Sequence, residues 1–240
     1  MIHAITTTNV RGSSSTTTTT TTFVPPDFPT LPSYTLVLLQ VEQQDESDDI
    51  HSDRVAGVVR CEAVVRQRGH GNRILRGKLS HTTRSIMDVA ISWASHHLHS
   101  LRFSAHRDEG AGDPREVLLK ADEDLIVHMS WPVMMKDGTS CGAAVAIAVL
   151  CGALDWRLVP NVAVTAGVNL QGHLLPVGAL EIKAKAAMEA GIVKIVVPSH
   201  QTVKQELDGI TDPVLRQYVN RAVVSASDLY GVMEHLVTGE

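Results

Sequence analysis

The sequence predicts an α+β (mixed α/β) fold, with strands in its first half and alternating helices and strands in its second. Three observations carry this. Runs rich in β-branched residues dominate between positions 34 and 80. From Asp137 onward, strand-like and helix-like segments alternate, and no internal repeat is present. The chain of 240 residues is 44% hydrophobic, enough for one sizeable core, yet no apolar stretch approaches the roughly 20 residues that span a bilayer. A transmembrane protein is excluded on that count. The net charge of −5 and a pI near 6.2 argue against a protein built mainly to hold nucleic acid.

Residues 1–33 form a Ser/Thr/Pro-rich tail, with seven consecutive threonines from Thr16 to Thr22. Such a segment has too few large apolar residues to offset its ordering entropy and is expected to be disordered. The domain proper is then 34–240. Segment 34–41 (YTLVLLQV) reads as a strand and the acidic run 43–53 as a solvated loop. Segments 54–65 and 73–80 read as two strands of a hairpin, joined by a Gly- and charge-rich turn over 66–72. Thr82 or Thr83 caps a long helix running to about Leu101, with Ile86, Val89, Ala90 and Trp93 as its buried stripe. Segment 108–114 is a Gly-rich loop and 124–130 a short strand. The small apolar segment 142–154 suits a central buried helix. A strand over 161–165 follows, then a second over 168–175 broken by Gly172. A helix over 179–190 ends at Gly191, and strands are expected over 193–198 and 223–225. A capped helix over 227–237 closes the chain.

Two features bear on chemistry. The string KDGTSCG (136–142) is a polar turn that delivers Ser140 to the start of a helix built of small residues. Unpaired N–H groups there carry partial positive charge and would serve a nucleophile as an oxyanion site, although capping alone also explains a hydroxyl at this place. On the helix 179–190, Lys185 lies between Glu181 and Glu189 at ion-pair spacing, whereas Lys183 falls at the edge of the apolar face. Burial disfavours the charged ammonium, and a neutral amine beside a serine hydroxyl is a general base. A lysine snorkelling from the core edge into water is the alternative.

Together with NVAVTAGVNLQGHLLPVGALEIKAKAAMEAGIVKIVVP (161–198), the string KDGTSCGAAVAIAVLCGAL (136–154) resembles the proteolytic domain of Lon protease. Weaker similarity extends the match to about 34–237. The resemblance implies a Lon-type fold and a serine endopeptidase with a Ser–Lys dyad. Ser140 takes the nucleophile position and Lys183 the lysine position; Thr165 matches the threonine that hydrogen-bonds that lysine, and Asp137 the acid before the nucleophile turn. It implies no cofactor for peptide cleavage and no metal; the family forms hexameric rings, and without an ATPase ring weaker self-association and substrates that are unfolded segments or peptides are expected here. A degenerate module that binds or assembles without cutting is the other function the fold could serve.

Several positions depart from the family pattern. Thr139 replaces a proline, Cys141 an alanine and Gly167 the acid of T-G-E. Ala179 replaces the second glycine of a G-G pair, and Glu181 the first lysine of K-E-K. Cys141 reads as a packing residue, since a helical neighbour of the nucleophile points about 100° away from it. The length leaves scarcely any room for the family's ATPase module. The string from Gly71 to Lys78 has one residue too many for a P-loop, and Leu79 where a magnesium-binding hydroxyl is needed. ATP would then enter only through a separate ATPase partner.

His96, His97 and His99 near a helix end have no acidic partner at metal-ligand spacing, and His173 reads as a surface hairpin residue or part of a substrate channel. Three cysteines cannot complete a disulfide framework, which points to a reducing, intracellular compartment. The cytoplasm is the first expectation. The acid-free start leaves a mitochondrial address as the second.

Overall fold

The computed structural model describes residues 4–7, 20–23, 34–42, 54–105, 122–130, 136–154 and 156–237. The loops expected at 43–53 and 108–114 lie outside these residues. Within the Thr/Pro-rich segment, β1 (Ala4–Thr7) and β2 (Thr20–Phe23) pair antiparallel, where no order was expected. β-Branched threonine favours extended pairing once a partner strand is in register. The rest of 1–33 lies outside the described residues.

The body is a seven-stranded mixed sheet. It contains β3 (Tyr34–Glu42), β4 (Arg54–Gln67), β5 (Arg73–Arg76), β6 (Glu123–Met129), β7 (Val162–Val164), β10 (Lys194–Pro198) and β11 (Val223–Ala226), in the order β11-β10-β7-β3-β4-β6-β5. Strands β3, β7, β10 and β11 run parallel, β4 is antiparallel to β3 and β6, and β5 runs parallel to β6. The expected hairpin of the second and third body strands is therefore corrected: β6 lies between β4 and β5. Strand alternation fixes which face is buried but not which neighbour is chosen. Asp124 at the start of β6 ties the turn to this arrangement. Its carboxylate accepts from the Arg66 guanidinium and from the His70 and Asn72 N–H groups at 2.8 and 2.9 Å, wrapping the 68–72 turn around the end of β6. Those hydrogen bonds hold the Asp124 carboxyl far below the usual carboxylate range.

Helices cover both faces. On one side lie α1 (His81–Ala105), α2 (Gly142–Leu154) and α6 (Leu229–Leu236); on the other lie α3 (Leu180–Glu189), α4 (Gln201–Asp208) and α5 (Pro213–Ala222). Successive strand residues serve opposite cores. Val59, Val164 and Val196 join the α1/α2/α6 core, whereas Val58, Ala163, Ile195 and Val197 join the α3/α4/α5 core. Helix α2 is buried from Gly142 to Cys151, as its unbroken small apolar sequence requires.

Several boundaries differ from expectation for local reasons. Ser80, not Thr82 or Thr83, caps α1 by accepting the Thr83 N–H at 3.1 Å. The broken strand over 168–175 is a hairpin of β8 (Gly167–Val168) and β9 (Leu174–Leu175). Its turn closes where Gly172 adopts φ 84°, and a Cβ at Gly172 would lie 2.5 Å from the Trp93 indole nitrogen. The last helix is capped by Asp228 through the Gly231 N–H. Among the described residues, no helix is long and apolar enough to cross a membrane.

Candidate active site

Ser140 ends the polar turn at the start of α2 and is 6% exposed. The turn is tied down on both sides. Gly138 takes φ 101°, which glycine tolerates, and the Gly142 N–H donates to the Thr139 carbonyl at 3.2 Å. Exposed Asp137 accepts a 2.6 Å hydrogen bond from the Ser80 hydroxyl, the same side chain that caps α1. Thr83, fully buried, donates to the carbonyls of Lys136 and Gly138. Lys136 completes the clamp, because its N–H reaches the Lys78 carbonyl at 2.8 Å and its own carbonyl accepts from the Ser80 N–H at 2.9 Å. Its side chain is buried, and burial together with the nearby Lys78 charge lowers its amine to about 8.

From the other face of the sheet, α3 sends Lys183 into the interior, where it is 3% exposed; Lys185 and Glu181 face solvent. The Lys183 Nζ donates to the Thr165 hydroxyl at 3.3 Å, and Thr165 is fully buried just beyond β7. The next residue closes the circuit. The Ala166 N–H donates to the Ser140 carbonyl at 2.9 Å, and the Ala143 N–H to the Ala166 carbonyl at 3.0 Å. The Thr165–Ala166 step thus carries the lysine on a side chain and the serine on its backbone. Desolvation lowers the Lys183 amine to about 8, against the opposing pull of Glu206 and Cys141. Cys141 is buried, and burial pushes its thiol up to about 12, so it stays protonated and packs.

Such a site offers a buried hydroxyl at a helix start, an amine biased toward neutrality, and a fixed strand end linking them. A model of the Lon protease (S16) C-terminal proteolytic domain matches residues 52–239. The chain belongs to this Lon proteolytic-domain family. It is 28% identical over 171 residues to the Lon protease of Bacillus thuringiensis (strain Al Hakam), covering 71% of this chain and 19% of that one. It is 30% identical over 167 residues to the peroxisomal Lon protease homolog 2 of Bos taurus, covering 65% and 19%. Against the Lon protease of Dictyoglomus thermophilum, identity is 30% over 149 residues, covering 62% and 17%. The chain therefore spans about a fifth of the length of these Lon relatives.

Two departures from the Lon pattern have local consequences. Ala179 precedes α3 with φ 58° and makes no side-chain capping bond, a conformation glycine adopts without strain. At Gly167, a Cβ would stand 3.1 Å from the Leu175 Cβ and 3.4 Å from the Thr139 carbonyl oxygen, so this backbone leaves little room for a larger residue.

Sequence reasoning named Thr83 only as a candidate cap and missed its hold on the Lys136 and Gly138 carbonyls, as it missed Ser80, the burial of Lys136, and Glu206, whose carboxylate accepts the Leu180 N–H at 2.6 Å. A serine immediately before the helical pattern is a capping signal that could have found Ser80. His96, His97 and Trp93 form a ring cluster on α1, with Trp93 and His97 stacked at 4.4 Å. His173 is exposed in the β8–β9 turn. Among the described residues, no three His, Cys, Asp or Glu side chains gather as a metal site would require.

Proposed function

We propose that the chain is a serine endopeptidase acting through a Ser140–Lys183 dyad on unfolded segments or peptides. The observation that carries the reading is the buried Lys183 amine on the Thr165 hydroxyl, one residue from the backbone pairing with Ser140. In the neutral form, Lys183 takes the Ser140 proton as Oγ attacks the peptide carbonyl. Backbone amides around Ser140, at the positive end of α2, stabilise the oxyanion, other than those of Gly142 and Ala143, which already donate to the Thr139 and Ala166 carbonyls. The protonated Lys183 then gives its proton to the leaving amine, and water repeats the sequence on the acyl-enzyme. Thr165 orients Lys183, while Asp137 holds the nucleophile turn through Ser80. No metal or nucleotide enters the bond cleavage.

Substrates that need unfolding would come through a separate ATPase partner, and self-association into a ring follows the family expectation. The three cysteines, all free and buried, suit a reducing intracellular compartment, with the cytoplasm first and mitochondria second.

Casein incubated with the protein should be cut, and Ser140→Ala or Lys183→Ala should abolish cutting without unfolding the chain. Wild type that cleaves no more than the two variants, with or without an ATPase partner, would leave a binding or assembly module as the reading.

A further inference from the structure

We propose that Glu206 is a positioning residue for the Lys183 amine, holding α3 by its first turn and setting, through its charge, how readily the amine releases its proton. This rests on the dyad reading above.

The need for such a residue follows from α3 itself. A helix start leaves four N–H groups without intrahelical partners, and a Ser, Thr, Asp or Asn cap satisfies one of them. Here the cap position is Ala179, which adopts φ 58° and supplies no side-chain acceptor. The acceptor comes from another helix. Glu206, half-buried on α4, takes the Leu180 N–H at 2.6 Å, a charge-assisted hydrogen bond at the positive end of the dipole. A Cβ at neighbouring Gly178 would lie 3.8 Å from the second Glu206 oxygen, so that oxygen rests close against the chain entering α3. Lys183 sits on the same first turn, its N–H bonded to the Ala179 carbonyl at 3.2 Å. Fixing Leu180 therefore fixes the Cα from which the amine reaches Thr165.

Charge supplies the second effect. Among the described residues, Glu206 from α4 and Cys141 from the nucleophile turn bear on Lys183, and the thiol, pushed up to about 12, stays protonated and leaves Glu206 as the charge. Glu181 and Lys185 of its own helix are exposed. Tyr218 of α5 donates its hydroxyl to the Ile192 carbonyl. β4 presents Val58 to this core, with Arg60 and then Glu62 further along the same face of the strand. Glu206 is thus the carboxylate that opposes desolvation at the amine, keeping Lys183 able to accept a proton as well as to lose one.

The test separates positioning from charge. Glu206→Gln keeps an acceptor for Leu180 and removes the charge, whereas Glu206→Ala removes both. The rising limb of casein cleavage against pH should move toward acid by about half a unit in both variants. The alkaline plateau should fall about tenfold in Glu206→Ala and less in Glu206→Gln. The Lys183 Cε resonance in protein labelled with 13C-lysine, assigned by its loss in Lys183→Arg, should titrate with the same acid shift. A midpoint that stays at the wild-type value in both readouts, or moves to alkali, overturns the proposal; so does an undiminished plateau in Glu206→Ala. Should Glu206→Ala not fold, Glu206→Gln carries the pH shift alone. A wild type that cleaves nothing removes the protease reading, and the Cε titration then decides the role of Glu206.

Discussion

Burying Lys183 costs stability, and that cost is measurable apart from catalysis. Its amine is lowered to about 8 from 10.5, so the protonated form is disfavoured in the fold. The unfolded chain binds the extra proton between those values, so stability rises with pH across that window and the full penalty is present below it. Lys183→Met should therefore raise the urea midpoint at neutral pH by the equivalent of about 1–3 kcal/mol, with the gain fading between about pH 8 and 10.5 and absent above it. An unchanged or lowered midpoint at neutral pH would contradict it. Thr165→Val keeps the shape and removes the hydroxyl that Lys183 contacts at 3.3 Å. We expect cleavage to fall about tenfold or more while the fold is retained, read by casein turnover beside circular dichroism. The helical wheel separated Lys183 from Lys185 because burial follows a period that sequence displays. Glu206 lay beyond that logic. It acts across a helix–helix contact, and no local spacing announces which carboxylate will face a helix start.

Among the elements, backbone conformation decides where α2 and α3 begin. A non-glycine residue at φ 58° costs roughly 1–2 kcal/mol, partly offset by the unfolded-state entropy of glycine. Ala179→Gly should thus stabilise the protein by about 0.5–1 kcal/mol in chemical denaturation; a loss of stability would mean that the conformation is not strained. The reverse holds at Gly142, where a Cβ would meet the Val168 methyl at 2.9 Å and the Val168 backbone nitrogen at 3.0 Å. Gly142→Ala should push the start of α2 off β8, lowering stability by about 1–3 kcal/mol and reducing cleavage. Helix α2 was legible to the residue because an unbroken small apolar run has one compact solution. Helices α4 and α5 were not read: they are short and mostly exposed, and burial along them reaches only Val203 in the first and Leu215, Tyr218, Val219 and Ala222 in the second. The Asp212–Pro213 pair, a cap followed by proline at the first turn, and the i, i+3, i+4, i+7 stripe of Leu215, Tyr218, Val219 and Ala222 were available signals for α5. The position of β6 between β4 and β5 depends on the Asp124 hydrogen bonds across more than fifty residues of sequence, which strand alternation cannot encode.

On the scale of the whole molecule, the sheet divides the labour. One face carries the helix that begins beside Ser140, the other the helix that bears Lys183, and the β7 end passes between them with Thr165. The mixed class was readable from the order of strands and helices, whereas the seven-strand order was not, since distant pairing leaves no periodic mark. The ring expected from the family remains a proposal for this chain, and a light-scattering mass near six times 25.9 kDa would support it, while a monomer mass would count against it. The central claim is the neutral Lys183 base, and the most direct measurement is the rate of casein cleavage across pH for wild type and Lys183→Ala. Wild-type activity should rise toward alkali with its half-point near pH 8, and the variant should show none. An acid maximum, or cleavage that survives without Lys183, would contradict it.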